Sequence, residues 1–155
     1  MIKLLFVCHG NICRSPMAES VCAYEIKKRG IQNVAVDSAA AHTDEIGNPP
    51  YYGTREKLQR ENIPLVPHRA RLLTAKDAEK YDYFIGMDEY NVRDMKRILS
   101  GTTKPVCKLL DFTSAPRAIA DPWYTKDFDA TFDDVVEGVR ALLDFLEREG
   151  LAKRG

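Results

Sequence analysis

The residues that could do chemistry are concentrated in one run, Cys8-His9-Gly10-Asn11-Ile12-Cys13-Arg14-Ser15. Cys8 is a candidate nucleophile. An ordinary cysteine has a pKa near 8.5, so only about 3% of it is thiolate at pH 7. After five intervening residues, Arg14 offers a planar fork that matches two oxygens of a tetrahedral oxyanion. Gly10 allows backbone angles that other residues resist. Asn11 tolerates the left-handed region, and its side chain can tie a loop down. Successive N–H groups in such a loop can curl into an anion nest, and a following helix start adds partial positive charge and unpaired donors. Donors that hold a phosphate also favour a thiolate, and about 3–4 kcal/mol of that preference makes the thiolate dominant at neutral pH. A sulfur held beneath a phosphate can attack phosphorus in line. Alone, Cys8 would read as a small buried hydrophobe and Arg14 as a surface charge; the combined spacing carries the catalytic reading. The run lacks GxxxxGK[ST], so it is not a nucleotide P-loop. Neither Cys8 nor Cys13 pairs with a second CxxC or with HxxxH, so no metal site is expected.

Displacing a phenol from phosphorus also calls for an acid, because a phenolate leaves more easily when protonated. Asp111, Asp121, Asp127 and Asp129 are available, and the sequence alone leaves them open. Asp121 stands out by its neighbours: Pro122 stiffens the backbone after it, and Trp123 and Tyr124 follow. These aromatics sit in a polar, proline-containing stretch, which favours exposure at a cleft mouth and stacking on a phenyl ring. Beside a bound dianion and an apolar wall, the aspartate's pKa is expected to rise.

The elements around these residues can be read from periodicity. Residues 2–7 are a nearly continuous apolar run, as in a strand buried on both faces of a parallel sheet. Ser15-Pro16 reads as an N-cap followed by proline at the first helical position, with Gly30 as the stop. Residues 34–37 read as a second strand, 51–61 as a helix, 74–80 as a short helix and 83–87 as a third strand. Asp88 then caps a helix carrying Val92, Met95 and Leu99. Residues 105–110 read as a fourth strand, and 111–126 as a long irregular stretch. Phe132, Val135, Val136, Val139, Leu142, Leu143 and Leu146 mark a final amphipathic helix. The alternation predicts one α/β domain over residues 1–155, with a four-stranded parallel sheet covered by helices on both faces, in flavodoxin-like topology. Ligands in such folds bind beyond the carboxyl ends of the strands.

Composition excludes several function classes. Lys plus Arg and Asp plus Glu each total 23, so no net basic charge exists to hold nucleic acid or a membrane surface. No apolar run approaches the roughly 18 residues of a membrane span. The first apolar stretch is too short for a secretory core, so the four cysteines are expected to be reduced, in the cytoplasm. Cys22 and Cys107 are expected in the core.

The run from Val7 to Pro16 resembles the signature of the low-molecular-weight protein tyrosine phosphatases. Three further stretches resemble that family in order: Asp37-Ser38-Ala39 with Ile46-Gly47-Asn48-Pro49-Pro50, then Gly86-Met87-Asp88-Glu89-Tyr90-Asn91, then Asp121-Pro122-Trp123-Tyr124. Together they span nearly the whole chain. The resemblance implies a phosphocysteine intermediate on Cys8, phosphate recognition by Arg14, Asp121 as general acid and base, and no cofactor. It implies substrate contacts from His9, Gly10, Asn11, Ile12, Cys13, Ser15, Trp123 and Tyr124. Asn11, Ser38 and His68 match a polar network that braces the loop, and Asp88 a position that places the acid loop. Ser15 is expected to hydrogen-bond the Cys8 sulfur as well as cap the helix. Cys13 is expected to form a reversible disulfide with Cys8 that shields it from over-oxidation. The expected partner is a phosphotyrosine protein or a small aryl phosphate, met by a monomer or weak dimer.

The chain departs from relatives in two places. His9 stands where they often carry leucine. The stretch from Ala40 to Glu45 lacks the Trp or Tyr that often lines the other cleft wall, so a one-sided aromatic clamp is expected, with Tyr51 or Tyr52 compensating. Asp44 and Glu45 are expected to disfavour acidic peptides. Phosphoarginine-directed members carry Thr at the position of Ile12, so Ile12 favours phosphotyrosine. Two alternatives compete: a thioredoxin-coupled arsenate reductase of the same fold, and a non-catalytic phosphopeptide-binding module. The first needs two further cysteines near the third strand, and residues 74–100 contain none. The second needs neither a nucleophile nor an acid.

Overall fold

The computed structural model describes residues 1–155. Strand β1 (Ile2–Cys8) is its axis, with Leu4, Leu5, Phe6 and Val7 fully buried. Strand side chains alternate between faces. Leu4, Phe6 and Cys8 accordingly join one core cluster, and Leu5 and Val7 a second. This two-sided burial is why the strand reads as an unbroken apolar run. β2 (Val34–Ala40), β3 (Tyr83–Gly86) and β4 (Val106–Lys108) complete a four-stranded sheet of order β2-β1-β3-β4. Every pairing is parallel, with Cys8 opposite Ala40 and Val7 opposite Gly86.

Helices α1 (Arg14–Arg29) and α5 (Phe128–Arg148) cover the Leu4/Phe6 face, while α3 (Glu89–Ile98) covers the Leu5/Val7 face through Met95. On α5, Val135, Val139, Leu142, Leu143 and Leu146 are fully buried. Each such side chain contributes about 1.5–3 kcal/mol of transfer free energy. The short helices α2 (Tyr52–Arg60) and α4 (Pro122–Thr125) lie in the connections after β2 and β4. No helix is long and apolar enough to cross a membrane.

Several boundaries differ from the sequence expectation. α1 begins at Arg14 and its N-cap is Cys13, so Ser15 is inside the first turn and caps nothing. β2 runs three residues beyond Asp37, because Ala39 and Ala40 pair with the end of β1. β4 stops at Lys108, where Leu109–Phe112 turns into a 3-10 helix. Residues 75–79 do form a short helix, of 3-10 type, with the Thr74 N–H donated to Asp77 Oδ2 at 2.9 Å. α1 does stop at Gly30, whose φ of 71° suits glycine. The loops after β1, β2, β3 and β4 all open at the carboxyl edge of the sheet.

Candidate active site

Cys8 ends β1 and is 3% exposed. Its Sγ accepts the Asn11 N–H at 3.3 Å and the Ser15 N–H at 3.4 Å, and lies 3.0 Å from Ser15 Oγ. The neighbouring N–H groups of His9, Gly10, Ile12, Cys13 and Arg14 donate to no acceptor within the chain. A sulfur surrounded by donors, next to a row of uncommitted amides, is an environment made for negative charge. The left-handed turn of the loop belongs to Asn11, with φ of 61°. Gly10, expected to supply unusual backbone angles, does not adopt a positive φ. Its missing side chain makes room instead, since a Cβ there would sit 3.3 Å from Glu45 Cγ.

A buried polar network sets the loop. Asn11 Nδ2 donates to Ser15 Oγ at 2.8 Å and to Ser38 Oγ at 3.0 Å. Ser15 keeps its own hydrogen for the Cys8 sulfur, and Ser38 donates to Glu19 Oε1 at 2.5 Å. Asn11 Oδ1 accepts the Arg71 N–H and faces His68 Nε2 at 2.8 Å, so Nε2 carries the proton. His68 Nδ1 then lies 3.6 Å from Glu19 Oε1. Asn11, Ser38 and His68 are thus brought together as expected, and Glu19 is the member that sequence reasoning missed. Burial raises the Glu19 carboxyl to about 7 and lowers the His68 imidazole. The folded protein therefore holds a proton on Glu19 that the unfolded chain releases above pH 4.5. Glu19's contribution to stability should fall as pH rises from about 4.5 to about 7. Glu19→Gln keeps an acceptor for Ser38 and removes the titration. In urea unfolding across this range, the variant should gain on the wild type with rising pH. A difference independent of pH would show that folding leaves the Glu19 carboxyl titrating as it does in the unfolded chain.

Arg14 is 2% exposed, a burial that only full pairing sustains. Its Nη1 donates to Asp88 Oδ2 at 2.7 Å and to the Ile119 carbonyl at 2.8 Å, and Nη2 lies 3.4 Å from Asp121 Oδ2. Burial works against its charge, but Cys8, Asp121 and Asp88 together hold it protonated. Asp88 does two things. Oδ1 caps α3 by accepting the Asn91 N–H at 2.9 Å, and Oδ2 anchors Arg14. It reaches the loop that carries Asp121 through Arg14, which binds that loop at Ile119. Asp121 caps α4 by accepting the Trp123 N–H at 3.0 Å, and its carboxylate points back to Arg14 rather than to an apolar wall. Three loops thus place a sulfur, a guanidinium and a carboxylate in one cleft of about 560 Å3.

The model of the family described as low molecular weight phosphotyrosine protein phosphatase matches residues 3–152. The chain belongs to this family. It is 35% identical to the low-molecular-weight protein-tyrosine-phosphatase PtpA of Staphylococcus aureus strain MRSA252, over all of both chains. The crystal structure of YfkJ from Bacillus subtilis superposes with a TM-score of 0.90 at 36% identity, covering 96% of each chain. The drosophila arginine phosphatase DARP superposes with a TM-score of 0.88 at 27% identity, covering 94% of this chain and 98% of its own.

In this member of the low-molecular-weight phosphatases, Trp123 and Tyr124 are 40% and 81% exposed and line the cleft with His9, Gly10, Ile12 and Cys13. Tyr51 and Tyr52 do not supply the opposite wall. Tyr51 packs edge-on against Trp123 at 5.1 Å and beside Tyr52 at 4.7 Å, so both stand on the tryptophan side. Asp44 and Glu45 are engaged at the rim, by His9 Nε2 at 2.7 Å and Asn48 Nδ2 at 2.6 Å. All four cysteines are free. Cys22 is fully buried, Cys107 packs at the core margin, and burial together with the Cys8 charge raises the Cys13 thiol to about 12.

Proposed function

We propose that this chain is a cofactor-independent protein tyrosine phosphatase acting on aryl phosphate monoesters. One observation carries the reading: the Cys8 sulfur sits among N–H and O–H donors, within a loop whose remaining amides are uncommitted and whose arginine is buried. That is both an activated nucleophile and a phosphate cradle. In the first step the thiolate attacks phosphorus, the P–S bond forms and the aryl P–O bond breaks, while Asp121 gives its proton to the departing phenolate oxygen. In the second, water attacks the phosphocysteine and Asp121 takes a water proton. The P–S bond breaks, and inorganic phosphate leaves with Cys8 again a thiolate. Arg14 holds two nonbridging oxygens as charge redistributes over them. The family membership supports this reading, as does the enzyme name of the Staphylococcus relative.

Turnover of p-nitrophenyl phosphate and of a phosphotyrosine peptide in the presence of a metal chelator tests it. Absence of turnover with reduced protein would overturn it. Asp121→Ala should slow alkyl-substituted phenyl phosphates by about 10²–10³-fold and good leaving groups far less, because general-acid assistance matters most where the leaving group is basic. Equal losses across a leaving-group series would remove Asp121 as the acid. Ile12 lines the cleft with an apolar side chain, which suits a phenyl ring better than a guanidinium, so phosphoarginine should be a poor substrate.

A thiolate mechanism requires a reducing compartment, and we place the protein in the cytoplasm as a monomer or weak dimer. Peroxide converts the Cys8 thiolate to a sulfenic acid, and Cys13 displaces water from it to form a disulfide. Inactivation should therefore reverse with dithiothreitol in the wild type and fail to reverse in Cys13→Ser. Equal recovery would leave Cys13 without this role.

A further inference from the structure

The cleft has a second wall that no aromatic residue of the sequence announced. His9, next to the nucleophile, and His42, in the loop after β2, stack with ring centroids 4.1 Å apart and planes inclined by 21°. Both line the same cleft as Cys8, Arg14, Trp123 and Tyr124. Each ring is fixed at its far nitrogen. His9 Nε2 meets Asp44 Oδ2 at 2.7 Å, and His42 Nε2 meets Asp94 Oδ2 at 2.8 Å. The backbones are fixed too, since the His42 N–H donates to the His9 carbonyl at 3.0 Å, and the Ala41 N–H to the Cys8 carbonyl at 2.9 Å. The anchors differ in firmness. Asp44 is 64% exposed at its side chain, whereas Asp94 is 11% exposed and belongs to α3, the helix whose N-cap holds Arg14. His42 is thus the firm half of the pair. It ties His9 to the helix that also sets the phosphate-binding guanidinium.

We propose that the stacked His9–His42 pair is the aryl-selecting wall of the cleft, with His9 touching the substrate ring and His42 acting as a positioning residue through the stack. This rests on the phosphatase reading above and names the group on phosphorus that the site prefers. A half-exposed loop histidine samples several rotamers, and ordering it upon binding costs conformational entropy. Here a hydrogen bond to Asp44 and a stack on His42, itself held by Asp94, have already ordered it. Two flat walls, imidazole on one and indole with phenol on the other, accept a planar phenyl ring and gain little from a flexible alkyl chain. An aromatic pair of this kind is worth about 0.5–1.5 kcal/mol, which sets the expected effect at roughly two- to tenfold in affinity.

The experiment compares p-nitrophenyl phosphate and phosphotyrosine with glycerol 2-phosphate on the wild type, His9→Ala, His42→Ala, the double variant and His42→Phe. His9→Ala should raise KM for both aryl esters about two- to tenfold with a much smaller change in kcat, and lower the aryl-to-alkyl ratio of kcat/KM by the same factor. His42→Ala should reproduce this loss, the double variant should be no worse than either single one, and His42→Phe should restore the ratio by restoring the stack. An unchanged ratio in His9→Ala, equal KM changes for aryl and alkyl esters, or fully additive losses in the double variant would each overturn the proposal. Failure of His42→Phe to rescue would assign the effect of His42 to its Asp94 contact rather than to stacking, and would overturn it also. Thermal melting of each variant separates loss of fold from loss of the wall. If the wild type turns over no ester, the phosphatase reading fails instead, which is a different result from a wild type that cleaves aryl esters without regard to the histidines.

Discussion

Cys8→Ser should lose turnover by on the order of 10⁴-fold or more, because removal of a covalent nucleophile leaves only what binding and oxyanion stabilisation provide. The substitution is small. A hydroxyl fits the 3% exposed site, and the Asn11 and Ser15 amides can donate to oxygen as they do to sulfur. The fold should therefore melt within a few degrees of the wild type. What changes is the nucleophile: a neutral serine hydroxyl attacks phosphorus far less readily than a sulfur does. The cradle, however, is made of backbone amides and Arg14 and remains. Cys8→Ser should still bind inorganic phosphate within a few-fold of the wild type by calorimetry, and so behave as a substrate trap. Residual turnover within a hundredfold of the wild type would remove Cys8 as the nucleophile.

Arg14→Lys comes second, with an expected loss on the order of 10²–10³-fold in kcat/KM, the usual scale for removing a preorganised donor to a developing oxyanion. The charge is kept and the geometry lost. The guanidinium meets Asp88 and the Ile119 carbonyl with Nη1 and leaves Nη2 near Asp121, on the side of the cleft. One ammonium cannot satisfy those anchors and two phosphate oxygens at once. A lysine drawn to Asp88 leaves phosphate unheld, and one drawn to phosphate leaves the acid loop unanchored at Ile119. Both KM and kcat should suffer, in contrast to the histidine wall, where KM carries the effect. A loss below tenfold would show that charge alone, not the fork, is what the site uses.

The parts of this protein that its sequence made legible are those with a short-range physical signature. Unbroken burial of residues 4–7 marks β1, and a stripe of apolar side chains marks α5. The Cys8–Ser15 loop is legible because its pattern is local: a cysteine, an arginine and a hydroxyl residue between a strand and a helix. Misreadings occurred where one residue had two possible partners. Ser15 before Pro16 looks like a helix cap, yet its hydroxyl is used by the Cys8 sulfur and the helix starts two residues earlier than Pro16, at Arg14. Gly10 and Asn11 both suit an unusual backbone turn on sequence, and it is Asn11 that makes it. What stayed hidden depends on distant loops meeting. Glu19 sits on a helix like any surface glutamate until Ser38 and His68 arrive from other segments. His42 gains meaning only against His9, and Tyr51 turns out to stand behind Trp123 rather than across from it. No periodicity or spacing encodes those meetings.

The most direct test of the whole account is chemical. Rapid alkaline, denaturing quench of the enzyme during turnover of p-nitrophenyl phosphate, followed by peptide mass spectrometry under conditions that preserve the acid-labile P–S bond, should find a phosphoryl group on the peptide bearing Cys8, and none in Cys8→Ser. Asp121→Ala, which slows hydrolysis of the intermediate, should raise its occupancy when the leaving group is good. Turnover that proceeds with no phosphoryl group on Cys8 under any of these conditions, or with the group on another residue, would contradict a mechanism built on that sulfur.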